Sequence, residues 1–160
     1  MRTKGPAVPA IIPCLWFDAD AEAAAEFYAS VFPDGRVVGI SRYTEAGPGP
    51  AGSVMTASFE VGGLRFLGLN GGPLYTFTEA ISFQILCATQ GEVDHYWARL
   101  SEGGQENVCG WLKDRFGVSW QIVPEALPRL LTGEDRARAE RVIRVMFGMK
   151  KLDIAALEAA

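Results

Sequence analysis

Histidine is almost absent from the chain: His95 is the only one in 160 residues. A site built on several imidazoles is therefore excluded, and no Ser-His or Cys-His pair for nucleophilic catalysis is apparent. Cysteine is scarce as well. Cys14, Cys87 and Cys109 are odd in number and lack the paired spacing of a zinc site or a disulfide framework. Each lies in an apolar setting and reads as a buried, reduced thiol, which points to the cytoplasm. No apolar run reaches the roughly 18 residues of a membrane span, and the N-terminus lacks a signal-peptide pattern. Positive charge is not in excess either. The net charge of −4 gives no general field for nucleic acid or an anionic membrane. The local exception, Arg136, Arg138, Arg141, Arg144, Lys150 and Lys151, reads as a solvated helix face, with Glu134 and Glu140 four residues before Arg138 and Arg144.

Apolar residues, by contrast, are plentiful. A chain that is 49% hydrophobic and 21% charged can build a proper core, and its length suits one domain, residues 1–160. Ala10 to Phe17 reads as a buried strand. Asp18 or Asp20 can cap a following helix near residues 20–32, with Ala24, Phe27, Tyr28 and Val31 on one face. Arg36 to Tyr43 is extended, 45–52 is a loop rich in Gly and Pro, and 53–61 and 64–69 are strands joined tightly at Gly62-Gly63. After the break at 70–73 the pattern starts again, with a strand at 80–87, a helix near 91–101, a strand pair, and a closing strand at 118–123.

The recurrence is an internal repeat. Ala24, Phe27, Tyr28 and Val31 return 69 positions later as Val93, Tyr96, Trp97 and Leu100. Gly63, Leu64 and Phe66 return 54 positions later as Gly117, Val118 and Trp120. The pattern predicts an α+β fold of two βαβββ modules, about 10–70 and 80–124, whose curved mixed sheet forms a cup, plus a helical tail at about 125–160. Within the tail, Val142, Val145, Met146 and Met149 form an apolar stripe.

Several ordered segments carry a family resemblance: residues 12–18, Phe27-Tyr28, 69–73, 109–114, 116–124 and 149–154. With these, the chain resembles the vicinal-oxygen-chelate (glyoxalase/bleomycin-resistance/dioxygenase) superfamily. Within it, the resemblance is to the PhnB-like branch labelled the 3-demethylubiquinone-9 3-methyltransferase domain family. The resemblance implies four inner-face positions for ligands of a divalent metal. Counting back from the helix aromatics places two at Pro13 and Ser82, and the fourth strands place theirs at Leu67 and Gln121. Of these only Gln121 is a plausible ligand, so no metal site and no cofactor are expected. Placed by its spacing from the aromatics, His95 falls off the apolar stripe of its helix and reads as a surface residue.

Strand alternation selects an inward set: Leu15, Phe17, Arg65, Leu67, Leu69, Ser82, Gln84, Leu86, Ser119, Gln121 and Val123. That mostly apolar pocket with a few polar points suits a small organic molecule bearing a carbonyl or hydroxyl. The bland alternative is that Gln84 and Gln121 only satisfy each other. Asp114 with Lys113 could do acid–base work at the rim, or form a turn-side ion pair. Gly47 to Gly52 matches GxGxxG formally, but two prolines remove N–H groups and a strand-like run follows, so the match is read as spurious. The favoured reading is a metal-free small-molecule-binding protein. The alternatives are an enzyme of the same superfamily (a lyase, a dioxygenase or, by the family label, a methyltransferase) and a protein whose role is interaction. The resemblance also implies a homodimer, to which the tail stripe is expected to contribute.

Overall fold

The computed structural model describes residues 9–160; residues 1–8, the start of the expected domain span, lie outside the described residues. The chain divides into two units, the first ending at Tyr75 and the second running Thr76–Ala160. Unit one holds β1 (Cys14–Phe17), α1 (Ala21–Val31), β2 (Arg36–Arg42), β3 (Val54–Val61) and β4 (Leu64–Asn70). Unit two holds β5 (Phe83–Cys87), α2 (Gln90–Ser101), β6 (Gln105–Glu106), β7 (Trp111–Lys113) and β8 (Ser119–Pro124). Its tail adds α3 (Ala126–Thr132), α4 (Arg136–Phe147) and α5 (Ile154–Glu158). The sheet orders are β1-β4-β3-β2 and β5-β8-β7-β6, with the first pair of each parallel and the rest antiparallel. Each unit is therefore a βαβββ module with a four-stranded mixed sheet. The extended stretches are shorter than the sequence suggests. Ile11 and Ile12, read as part of the first strand, precede it and are exposed.

In unit one, the alanine-rich start of α1 lets the helix lie close on the sheet. A Cβ added at Gly68 of β4 would come within 3.1 Å of the Ala21 Cβ. Ala24, Ala25, Tyr28 and Val31 are buried on the same helix face. Tyr28 packs on Phe59 at 5.5 Å between centroids, and Phe59 stacks on Phe66 at 5.3 Å. In unit two, Thr89 and Glu92 form a capping box at the start of α2, which buries Val93, Trp97 and Leu100. The helix-facing side of each sheet is thus the core side. The opposite side mixes polar residues such as Gln84 and Gln121 with apolar ones such as Leu67 and Trp111.

Beyond α1, Asp34 ties the β3–β4 turn in place by accepting the N–H groups of Gly62 (3.0 Å) and Gly63 (2.8 Å). The bond from Gly63, then that from Gly62, holds its carboxyl below the usual aspartate range. A depressed folded value means that this stabilisation is complete above the unfolded value, near about pH 4, and is lost as pH falls through the folded one. Asp34→Ala is expected to flatten the acid limb of the stability–pH curve, read from urea melts at stepped pH. An acid limb identical to that of the unsubstituted chain would contradict this role.

The tail is the main departure from expectation. Val142, read as part of an interface stripe, is fully buried with Val123, Leu127, Leu152 and Leu157, and Val145, Met146 and Met149 pack against that cluster. Covering Val123 of β8 with the unit's own helices removes this apolar surface from water at about 1.5–3 kcal/mol per buried side chain. The stripe belongs to the core of unit two. The large apolar residues that α4 leaves exposed are Ile143 and Phe147. On its polar side, Glu140 pairs with Arg144 as the spacing predicts, while Arg138 donates to the Glu158 carbonyl oxygen.

Candidate functional site

Register decides which side chains leave the core. In unit two, Gln84 lies opposite Gln121, and Gln121 opposite Trp111, while Lys113 lies opposite Ser119. Trp120, Ile122 and Leu112 alternate with these and are buried. Ser82, Gln84, Trp111, Lys113, Ser119 and Gln121 therefore share the sheet face turned away from α2. On it, the Gln84 Nε2 donates to the Gln121 Oε1 at 3.4 Å, and the Gln121 Nε2 donates to the Ser82 Oγ at 2.8 Å. The two glutamines do pair with each other, as the bland alternative holds. The pairing still leaves the Gln84 Oε1 and the Ser82 hydroxyl hydrogen without partners among the described residues. The Lys113 Nζ meets the Glu79 carboxylate at 2.6 Å. Ser119 is buried, and its hydroxyl has no partner among the described residues. Ser119, Lys113, Glu79 and Trp111 line one cavity of about 50 Å³.

In unit one, Cys14 lies opposite Leu67 and Trp16 opposite Leu69, all on the face away from α1. The Trp16 indole N–H donates to the Gly72 carbonyl at 2.8 Å, and Tyr75 meets the ring edge-on at 5.0 Å. Gly71 permits this approach, since a Cβ there would lie 2.2 Å from the Trp16 ring. Arg65 is on the same face but is held by Glu60, which also pairs with Arg36.

Leu15 and Phe17 are corrected by the register. They are buried on the core side, where Phe17 lies against Gly68 beside Ala21. The physical reason is a one-residue difference between the modules. Three residues separate β1 from α1, but only two separate β5 from α2. Counting back from the helices therefore lands in phase in unit two and out of phase in unit one, and a slip of one residue moves a side chain to the opposite sheet face. The residue on the open face is Cys14, which is exposed rather than buried.

The register thus places Cys14, not the expected Pro13, opposite Leu67 on the open face of unit one, and Gln84, in phase with the expected Ser82, opposite Gln121 in unit two. Neither a thiol beside an alkyl group nor two amides that bond each other resembles the thiolate, imidazole and carboxylate donors with which proteins hold a transition-metal ion. Among the described residues no group of three or more His, Cys, Asp or Glu could hold a metal. The other thiols are poor nucleophiles. Burial, aided by Glu92 and Glu125, pushes Cys87 up to about 11, and burial raises Cys109.

Asp114 is not paired with Lys113. It is buried, and its carboxylate accepts N–H groups from Phe116, Val118 and the Trp120 indole. His95 is exposed on α2. The stretch from Gly47 to Gly52 joins antiparallel β2 and β3 and opens no helix, so it lacks the geometry of a phosphate-binding loop. Instead Gly47 and Gly49 fold onto the Tyr43 ring, and the loop borders a cleft of about 410 Å³ with Asp18, Glu22 and Asn70. Sequence reasoning missed that cleft, and it named Lys113 at the rim but with Asp114, not Glu79, as its partner. Lys113 is two residues from Trp111 on the same strand, so alternation could have set it on the same face as Trp111 and apart from Asp114. Glu79 lies outside any strand and had no such signal.

The sequence matches the family model described as 3-demethylubiquinone-9 3-methyltransferase over residues 9–123. Among solved structures, the PhnB protein from Bacillus cereus is 35% identical, with 72% of this chain and 99% of that one covered and a TM-score of 0.66. Protein PA1353 from Pseudomonas aeruginosa is 22% identical over 74% of this chain and 98% of its own, with a TM-score of 0.62. The fosfomycin resistance protein FosX from Listeria monocytogenes is 17% identical over 85% of this chain and 99% of its own, with a TM-score of 0.47. No protein of curated function matches the sequence.

Proposed function

We propose, from the premise that this chain belongs to the 3-demethylubiquinone-9 3-methyltransferase family, that it binds a small organic molecule without a divalent metal. The observation that carries this reading is the row Gln84, Gln121 and Ser82 on the open face of unit two, set beside Trp111 and Leu86. An aromatic and aliphatic surface with a few fixed polar groups is what a small ligand uses for both affinity and orientation. The spare Ser82 hydroxyl hydrogen can be donated to a ligand carbonyl, and the Gln84 Oε1 can accept from a ligand hydroxyl.

A thermal-shift screen tests the reading with two sets of compounds: small carbonyl- and hydroxyl-bearing organics, and magnesium, manganese, nickel and zinc chlorides. Binding to the native state at 100 times Kd contributes about 2.7 kcal/mol, which raises Tm by several degrees. An organic compound should do so, and Gln84→Leu with Gln121→Leu should abolish the shift. A stoichiometric rise with one metal salt and none with any organic compound would overturn the proposal. Ile143 and Phe147, exposed one turn apart on α4, favour a two-fold pair in solution. Sedimentation showing a monomer at tens of micromolar would refute that part. The unpaired thiols are consistent with action in the cytoplasm.

A further inference from the structure

The cavity beneath the Lys113–Glu79 pair holds a contradiction. The Ser119 hydroxyl is buried and has no partner among the described residues, although a buried hydroxyl ordinarily finds a hydrogen bond. The ammonium of its register partner Lys113 is engaged by Glu79, and both residues line the same space of about 50 Å³. One or a few waters fit such a volume, and so does a carboxylate group. Glu79 lies outside the strands and helices, and its side chain is 59% exposed. Among the described residues, the one other carboxylate lining the cavity, Glu106, pairs with Lys150 and accepts the Trp97 indole N–H.

The geometry points to Lys113 and Ser119 as a carboxylate subsite on the open face of unit two, with Glu79 as a built-in competitor that a carboxylate ligand displaces. One ligand oxygen takes the place of Glu79 on the Lys113 ammonium. The other accepts from Ser119, which satisfies the orphan hydroxyl. The body of the ligand then lies along β7 and β8, over Trp111 and toward Gln121, which lies opposite it in the register. The ligand class is a small organic carboxylate with a flat apolar body. The hydrogen bond from Lys113 is also what chiefly holds the Glu79 carboxyl below its usual range, so the competitor stays charged near neutral pH. Because Glu79 is tethered, it occupies the subsite for a fixed fraction of the time and lowers apparent affinity by the fraction left open.

This inference rests on the reading that the open face of unit two binds a ligand, and the test separates the two. Benzoate and benzamide have nearly the same shape and differ in charge. Each is titrated into the full chain while the Trp111 indole N–H and the backbone amides of residues 82–86, 111–113 and 119–123 are followed by NMR. Benzoate is expected to move the signals of Trp111, Lys113 and Ser119, with benzamide about tenfold weaker. Ser119→Ala and Lys113→Gln should each weaken benzoate by about tenfold, and Glu79→Gln should tighten it by about fivefold. Equal affinity for the two probes, or no loss in Lys113→Gln, overturns the subsite. If benzamide alone then still moves residues 82–86 and 119–123, the broader binding reading stands. If neither probe, nor any compound from the thermal screen, moves this face, both readings fall. Unchanged benzoate affinity in Glu79→Gln overturns the competitor. That residue is exposed, so its replacement should fold even if Lys113→Gln does not.

Discussion

Asp114→Ala is expected to lower the stability of unit two by about 3–5 kcal/mol, the largest effect of any single polar change considered. Its carboxylate accepts at 2.9 Å from Phe116, at 3.0 Å from Val118 and at 2.8 Å from the Trp120 indole. Truncation leaves three donors facing a space too enclosed for water to serve all of them, and each stranded group costs about 1–3 kcal/mol. The costs do not add fully, because the turn can relax. Asp114→Asn separates charge from shape. Whichever way the amide is turned, its NH₂ group faces at least one N–H, so the loss should be smaller than for alanine but not absent. Urea melts followed by tryptophan fluorescence measure both. An alanine variant within 1 kcal/mol of the unsubstituted chain, on the scale of an ordinary surface change, would mean that the turn holds without the carboxylate.

Gly110→Ala is expected to cost about 3–4 kcal/mol by a different route, through backbone conformation and close approach. Gly110 has φ +80°, a left-handed value, and a Cβ there would lie 2.6 Å from the Ile122 carbonyl oxygen and 3.1 Å from the Leu152 side chain. Its own N–H donates to Lys150 and its carbonyl accepts from Ile122, so it joins the tail to β8. An added methyl group therefore strains the residue and pushes apart two segments that its backbone holds together. Cys109, also left-handed at φ 59°, provides the comparison. Its conformation is strained in the same sense but no clash is relieved, so Cys109→Gly should be close to neutral. Equal urea midpoints for Gly110→Ala and the unsubstituted chain would refute the account.

Much of the fold is legible because the two modules repeat the same physical choices. Tyr28 and Trp97 mark the buried helix faces, and the turns at Gly62-Gly63 and Phe116-Gly117 fix the phase of β4 and β8. Leu67 and Gln121 accordingly fall on the open faces that alternation assigns to them. Leu15 and Phe17 were misplaced because helix-to-strand counting assumes equal connections, and a strand has no tolerance for an error of one. Alternation cannot show that Asp114 turns inward to serve three N–H groups. In sequence it is simply a charged residue beside Lys113. Nor could apolar periodicity in the tail distinguish an interface from a self-packed core. Val142 and Met149 have the same pattern in either case, and only the return of Leu152 and Leu157 to cover them decides it.

The outer strand of unit one has a consequence for behaviour at high concentration. Among the described residues β2 pairs only with β3, and its register slips between Val37 and Gly39. An exposed strand edge recruits other extended chains. If two copies of β2 met antiparallel and centred on Gly39, Arg36 of each would sit opposite Arg42 of the other, and like charges directly opposite are unfavourable. The bulge disrupts the even spacing of N–H and C=O groups that a continuous intermolecular ladder requires. The arginines at its ends thus act as colloidal gatekeepers. Their effect is electrostatic and so fades with added salt, which makes a crowded, high-ionic-strength solution the condition in which this edge would first begin to template fibrils.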